Sequence, residues 1–236
     1  MSVAFCVDPT VADLIGPTAP VGHPEVRAVA IMAATGSATV QGRSGTLGTA
    51  RDSALLAGLR SWADAIVVTG ATVRNESYGP VDVPAQARRE RVARGQRELP
   101  VLCVVSRKLE WANLPAGVVV TSEEAAASIS ADRLRADGWE VLAGGSDPIA
   151  ALRPSYPRIL VEGGPHLYAD LLARELIDVF HLTVSPALLP SVDTPLVAGH
   201  EHKPPVNPAP RWRLDGLAAD ADAMVYARYR RPNPAG

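Results

Sequence analysis

The sequence predicts an α/β fold with a mostly parallel central sheet that closes in a C-terminal antiparallel hairpin. Two observations carry this. From Val26 onward, apolar segments of strand length alternate with longer segments of helical periodicity, which argues for crossover connections. The last two strand-like segments, Arg211–Leu217 and Ala223–Arg230, are separated only by the polar connection Ala219–Asp222, as in a hairpin.

The elements follow in order. Residues 1–22 carry Pro9, Pro17 and Pro20 and are expected to form an arm with at most a short helical turn. The expected strands before the hairpin are Val26–Ala34, Ala65–Thr69, Val101–Val105, Gly117–Val120, Trp139–Leu142, Arg158–Val161 and Asp178–Ser185. Ala50–Trp62 reads as a helix with Leu55, Leu56 and Leu59 on one face. Ser122–Arg135 and Pro165–Leu176 read likewise, the latter with Leu167, Leu171, Leu172 and Leu176 at helical spacing. His200–Pro210 contains Pro204, Pro205, Pro208 and Pro210, too many for a central strand, and reads as a long surface loop. With no internal repeat and no break in composition, residues 23–236 are expected to form one domain.

Composition narrows the function. The 236 residues are 47% hydrophobic and 20% charged, a globular rather than a disordered balance. A net charge of −2 and a pI near 6.2 give no general attraction to nucleic acid or anionic lipid, so neither is expected as a partner. All but two of the 23 basic residues are arginines; lysine-dependent chemistry would rest on Lys108 or Lys203. Two cysteines, Cys6 and Cys103, make no disulfide framework, and a reducing cytoplasmic setting is expected. Asp8-Pro9 interrupts the first apolar stretch, which argues against a signal peptide. No run approaches the roughly 18 apolar residues of a membrane span.

Three strand ends carry the chemistry. Glu162-Gly163-Gly164-Pro165 follows the strand Arg158–Val161 and opens an amphipathic helix. Glycines admit a phosphate-bearing ligand close to the backbone, proline suits the first helical turn, and the free N–H groups there favour an anion. The same residues would also make a tight strand-to-helix turn without a ligand. Gly70-Ala71-Thr72-Val73-Arg74-Asn75-Glu76 follows a second strand and combines a glycine, a hydroxyl, a cation and a carboxylate, though it also suits a capped helix start. Ser106-Arg107 ends a third; its guanidinium suits the 2′-phosphate of NADP, and a plain surface turn is the alternative. In open α/β sheets ligands collect at such carboxyl ends. The candidate dinucleotide contacts are therefore Gly70, Thr72, Val73, Glu76, Ser106, Arg107, Gly163, Gly164 and Pro165.

Other motifs are absent or weak. The chain has no G-x-G-x-x-G, G-x-x-x-x-G-K, C-x-x-C, H-E-x-x-H or G-x-S-x-G. His200-Glu201-His202 has no third ligand in view, so no metal is expected. Arg88-Arg89-Glu90-Arg91 through Arg97 reads as a solvent-exposed helix face. His166 could touch a phosphate, and His181, in mid-strand, reads as structural.

Leu59-Arg60-x-x-Ala63-Asp64-Ala65-Ile66, Gly70-Ala71-Thr72-Val73-Arg74 and Glu162-Gly163-Gly164, in this order and spacing, resemble the reductase domain of the riboflavin biosynthesis proteins, the pyrimidine reductases related to dihydrofolate reductase. Thr72-Val73-Arg74-Asn75-Glu76-Ser77-Tyr78-Gly79 with the following Arg-rich helix is similar to their stand-alone actinobacterial branch. The resemblance runs from about Val26 to Arg231. It implies a dihydrofolate-reductase-like three-layer α/β/α sandwich, a homodimer, and NADPH as donor of a hydride to the ribose C1′ of 5-amino-6-ribosylamino-uracil 5′-phosphate. By motif, Thr46, Thr72, Glu76 and Ser106 would line the cofactor, with its pyrophosphate on the backbone from Gly164 onward. Ser44, Arg60, Glu162 and Thr35 would face the substrate. Glu76, then Glu162, is the carboxylate expected near the reacting carbon.

Two segments depart from the family's pattern. Its first-strand Ser-x-Asp-Gly reads Ala33-Ala34-Thr35-Gly36 here, and its phosphate-seating Asp-Pro-x-Leu-x-x-Arg reads Ser77-Tyr78-Gly79-Pro80-Val81-Asp82-Val83, without the arginine. Pro190 also stands where glycine is frequent. These changes fall mainly on the substrate half. A reductase of another pterin-like or carbonyl substrate, and a non-catalytic NADP(H)-binding homologue, therefore stand beside the first reading.

Overall fold

The structure, a computed structural model, describes residues 5–75, 78–111, 114–144, 147–199 and 211–232. In chain order its elements are β1 (Phe5–Val7), α1 (Val11–Ile15), β2 (Glu25–Ala33), α2 (Ala50–Trp62), β3 (Ala65–Thr69), α3 (Gly70–Asn75), α4 (Ala85–Ala93), β4 (Val101–Val105), β5 (Val118–Thr121), α5 (Glu123–Ala126), α6 (Ile129–Ala136), β6 (Glu140–Ala143), α7 (Pro148–Leu152), β7 (Arg158–Gly163), α8 (Pro165–Ala173), β8 (Val179–Ser185), β9 (Arg213–Ala219) and β10 (Val225–Arg230). The fold is α/β, its strands mostly parallel, with the expected antiparallel hairpin at β9 and β10. The chain divides into two compact units, one drawing on residues up to 18, 25–58 and from 165 onward, the other on 19–24 and 59–164.

The second unit carries an all-parallel run of strands in the order β7-β3-β4-β5-β6. Its central strands read as uninterrupted apolar sequence because both faces are covered. Ala65, Ile66, Val67 and Val68 of β3 and Ile159, Leu160 and Val161 of β7 have no exposed surface. Each such large side chain contributes about 1.5–3 kcal/mol. The single helix expected over 122–135 is two: Ser122 caps α5 through Ala125 N–H, and Ser128 caps α6 through Ala131 N–H. A serine in the middle of a helical pattern has here restarted the helix instead of riding along it.

The arginine-rich helix α4 departs from the expected exposed face at one residue. Arg91 is fully buried; its Nε donates to the carbonyls of Arg97 and Glu98, and its Nη1 to those of Ser61 and Ala63 at 2.9 and 2.6 Å. One guanidinium thereby serves the carbonyls left open where α2 ends. Burial lowers its pKa to about 10, so it keeps its charge at neutral pH.

In the first unit the strand order is β1-β9-β10-β8-β2. β9, β10 and β8 are antiparallel neighbours, whereas β8 pairs with β2, and β1 with β9, in parallel. The N-terminal arm has more structure than its prolines suggested. Residues 5–7 form β1, and α1 starts at a capping box in which Thr10 and Asp13 bond each other's backbone N–H groups. The carbonyls at the end of α1 are taken by buried guanidinium groups: Arg27 donates to Ile15 and Arg228 to Asp13 and Leu14. Glu25 and Asp215 balance the arginines, Glu25 pairing with Arg27 and Arg230, and Asp215 with Arg228 and Arg230.

His181 lies within this cluster, 3.3 Å from Arg27 Nη1. Arginine can only donate, so His181 Nε2 accepts and the ring is neutral. Burial, then the charges of Arg27, Arg228 and Arg230, hold its pKa well below the usual 6.5. The unfolded chain therefore binds a proton below about pH 6.5 that the folded chain refuses. Stability from this residue is complete above that pH and is lost on acidification by about 1.4 kcal/mol per pH unit. Urea unfolding between about pH 5 and pH 8 should show this slope, and a folded His181→Gln protein should show it reduced by about one proton.

Candidate active site

β7, β3 and β4 are adjacent and parallel, so their carboxyl ends reach the same edge of the sheet. Thr69 ends β3 and acts as a hub. Its hydroxyl accepts from Thr72 N–H at 3.1 Å and lies 2.9 Å from the Thr72 hydroxyl. Toward β7, Thr69 packs so close to Gly164 that a Cβ there would sit 2.7 Å from its Cγ2 and Oγ1. Toward β4, a Cβ on Gly70 would sit 2.6 Å from Ser106 Oγ. The three turns flagged in the sequence thus come together: Gly164 meets Thr69, and Gly70 meets Ser106. Gly163 and Gly164 both have φ of 129°, a conformation that side chains rarely adopt.

The register of β7 changes at its end. Val67 pairs with Val161, but Val68 pairs with Gly163, so Glu162 has no partner in the ladder. This is a β-bulge, a device that re-aims a side chain at a strand end. Glu162 meets Arg60, from the last turn of α2, in a two-pronged pair: Nε donates to Oε1 and Nη2 to Oε2, both at 2.7 Å. Tyr78 completes the cluster; its hydroxyl donates to Glu162 Oε2 at 2.7 Å and accepts from Arg60 Nη2 at 3.0 Å. Burial, then the neighbouring Glu162 charge, push the Tyr78 pKa upward, so the phenol keeps its proton. Burial pulls Arg60 downward, but the bonds and charge of Glu162 outweigh it and raise its pKa.

The other candidates distribute as follows. Thr72 is half-buried, Val73 buried, Ser106 half-buried and Arg107 exposed; Arg74, also exposed, donates to the Glu110 carbonyl at 3.1 Å. Pro165 opens α8 as expected, and His166 beside it is exposed. Glu76 and the His200-Glu201-His202 motif lie outside the described residues. Thr35, Ser44 and Thr46 belong to the first unit, on the chain that follows β2; the Thr35 hydroxyl accepts from Leu189 N–H at 3.1 Å, and Thr46 is exposed. Among the described residues no three His, Cys, Asp or Glu side chains group as metal ligands, and no helix is long and apolar enough to cross a membrane. A cavity of about 620 Å³ opens in the first unit beside α1 and β9. Two of the charged residues that line it, Arg228 and Asp215, are paired with each other.

Two residues of the site carried no assignment in the sequence. Thr69 had a readable signal, a threonine three residues before Thr72 at a strand-to-helix junction, the spacing of an N-cap bond. Tyr78 had none, because its partners stand 18 and 84 positions away.

The chain belongs to the RibD C-terminal domain family, whose model matches residues 24–226. Among solved structures it is similar to a pyrimidine reductase-like protein of Corynebacterium diphtheriae, at 32% identity and a TM-score of 0.79, over 89% of this chain and 92% of that one. Acinetobacter baumannii RibD shares the fold at 15% identity and a TM-score of 0.67, with 90% of this chain matching 59% of the longer one. The yeast Saccharomyces riboflavin biosynthesis reductase Rib7 does so at 14% identity and a TM-score of 0.61, over 93% and 95% of the two chains. None of the curated proteins matches the sequence.

Two substitutions test this local architecture by chemical denaturation. Arg60→Met strands the nearly buried Glu162 carboxylate and should cost about 3–5 kcal/mol. Gly164→Ala places a methyl group against Thr69 in an unfavourable backbone conformation and should cost about 1–3 kcal/mol.

Proposed function

We propose that the chain is a reductase of the riboflavin-pathway type that takes a hydride from NADPH and reduces a ribosylamino-pyrimidine at the ribose C1′. The observation that carries the reading is the meeting of three parallel strand ends, with glycine wherever the next turn comes close. Family membership and the likeness to the C. diphtheriae pyrimidine reductase-like protein support it.

The residues suit a phosphorylated dinucleotide. Gly163 and Gly164 are buried and keep the turn free of side chains, and at Gly164 Thr69 already occupies the space a Cβ would need. Thr72 and Ser106 supply hydroxyls, and the exposed Arg107 supplies a cation for a 2′-phosphate. Bound there, NADPH would supply the hydride. Opening of the ribosylamine ring breaks the C1′–O4′ bond, puts a proton on O4′ and leaves an iminium at C1′. Addition of hydride to C1′ gives the ribitylamine and oxidised nicotinamide. The task of the protein is to orient the substrate and to stabilise the transient cation with a carboxylate. Glu76 is assigned that position on its motif, with Glu162 second.

A homodimer belongs to the same proposal. Val7, Ala219, Val225 and Val184 stand side by side across β1, β9, β10 and β8, and Val7 and Phe5 are 68% and 60% exposed. Such an apolar row on a sheet face suits association.

Fluorescence titration with NADPH and NADH, followed by NADPH oxidation with the deaminated riboflavin intermediate and with dihydrofolate, tests the proposal. NADPH should bind more tightly than NADH. Arg107→Ala should weaken NADPH about tenfold and leave NADH unchanged, the loss expected for one charged hydrogen bond. Glu76→Gln should lower turnover more than tenfold with NADPH binding intact. Turnover of dihydrofolate alone would favour a pterin substrate, the alternative that the altered Ser77–Val83 segment supports. Binding without turnover would favour a non-catalytic homologue.

A further inference from the structure

We propose that Arg60, Glu162 and Tyr78 form one charge-neutral recognition element that receives an uncharged ring carbonyl of the substrate and turns a phosphate away, with Tyr78 as its positioning residue. The inference rests on the reductase reading and specifies which part of the substrate this cluster takes.

Three observations carry it. First, the edge of a guanidinium that grips phosphate most effectively is its two-pronged fork. On Arg60 the Nε and Nη2 fork is already filled by Glu162, with both bonds at 2.7 Å. Second, the charges cancel. The pair sums to zero, and Tyr78 adds a phenol that stays protonated. An incoming phosphate would meet a carboxylate beside the cation, whereas a neutral acceptor meets no such opposition. Third, the cation is the more exposed member of the ion pair. The side chain of Arg60 is 21% exposed and that of Glu162 5%. Nη2 spends its two hydrogens on Glu162 and Tyr78, and Nε spends its one on Glu162. Among the described residues Nη1 donates to no partner. Two N–H groups of a neutralised arginine suit a carbonyl oxygen, such as those on a pyrimidine or pterin ring.

Tyr78 makes the arrangement rigid. It saturates Glu162 Oε2 and holds Arg60 Nη2 from the other side, so neither group can rotate toward a ligand without breaking a bond. It stands in the Ser77–Val83 segment that lacks the phosphate-seating arginine of the family's pattern. At this place the chain has a residue that closes an ion pair.

Calorimetric titration of the NADPH-loaded protein with two probes tests the inference: 5-aminouracil, a ring without phosphate, and ribose 5-phosphate, a phosphate without the ring. Wild type, Tyr78→Phe and Glu162→Gln are compared, each checked for an intact thermal transition. The wild type should bind 5-aminouracil, and Tyr78→Phe should weaken that binding about tenfold while changing ribose 5-phosphate less than twofold. Glu162→Gln, which frees the guanidinium fork, should strengthen ribose 5-phosphate at least fivefold. If Glu162→Gln does not fold, Tyr78→Phe decides alone. The inference is overturned if 5-aminouracil does not bind, if Tyr78→Phe binds it as the wild type does, if Tyr78→Phe weakens ribose 5-phosphate instead, or if folded Glu162→Gln gains no affinity for it. Failure of the wild type to bind NADPH at the outset would count against the reductase reading itself, a result separate from all of these.

Discussion

The register between β7 and β3 is the constraint on which the site depends. Val67 lies opposite Val161 and Val68 opposite Gly163, and the residue left over is Glu162. A continuous ladder would keep Glu162 in the alternation of its strand. The slip frees it from the ladder, where it meets Arg60 and Tyr78, and brings Gly163 and Gly164 to the end of the strand beside Thr69. Because β7, β3 and β4 run the same way, this one irregularity falls where two other strand ends already present their turns.

The arginine-rich composition has a structural use that the site shares with the rest of the fold. A lysine offers one strongly hydrated point charge, whereas a guanidinium can donate to several fixed acceptors at once. Arg91 uses this to serve four carbonyls, two of them where α2 ends, and Arg27 and Arg228 do the same for α1. Arg60 divides its donors between a carboxylate and a phenol. In each case the guanidinium is held by specific acceptors, in a chain whose net charge is only −2.

Much of the fold was legible because buried parallel strands announce themselves as short apolar runs. Ala65–Thr69 and Val101–Val105 match their expected bounds, and the other parallel strands fall within two residues of theirs. What escaped depends on partners far away in the chain or on competition between neighbouring signals. β1 is too short to show a period and exists through pairing with β9, more than 200 positions on. Ser122 and Ser128 were read as one helix because helical spacing masks a second cap. Arg91 looked like its exposed neighbours because nothing local records the carbonyls of Ser61 and Ala63. Within the site, the glycines and Glu162 stood out by motif. The bulge and the part played by Tyr78 did not, since register and contacts across 84 residues leave no mark in either segment alone.

The central claim is that three neighbouring strand ends act together as one dinucleotide cradle. Amide hydrogen exchange of the protein with and without saturating NADPH tests it most directly. The account predicts added protection at the turns around Gly70–Val73, Ser106–Arg107 and Gly163–Gly164 together, with α4 unchanged. Protection at only one of these turns, or NADPH binding that protects a different part of the chain, would contradict it.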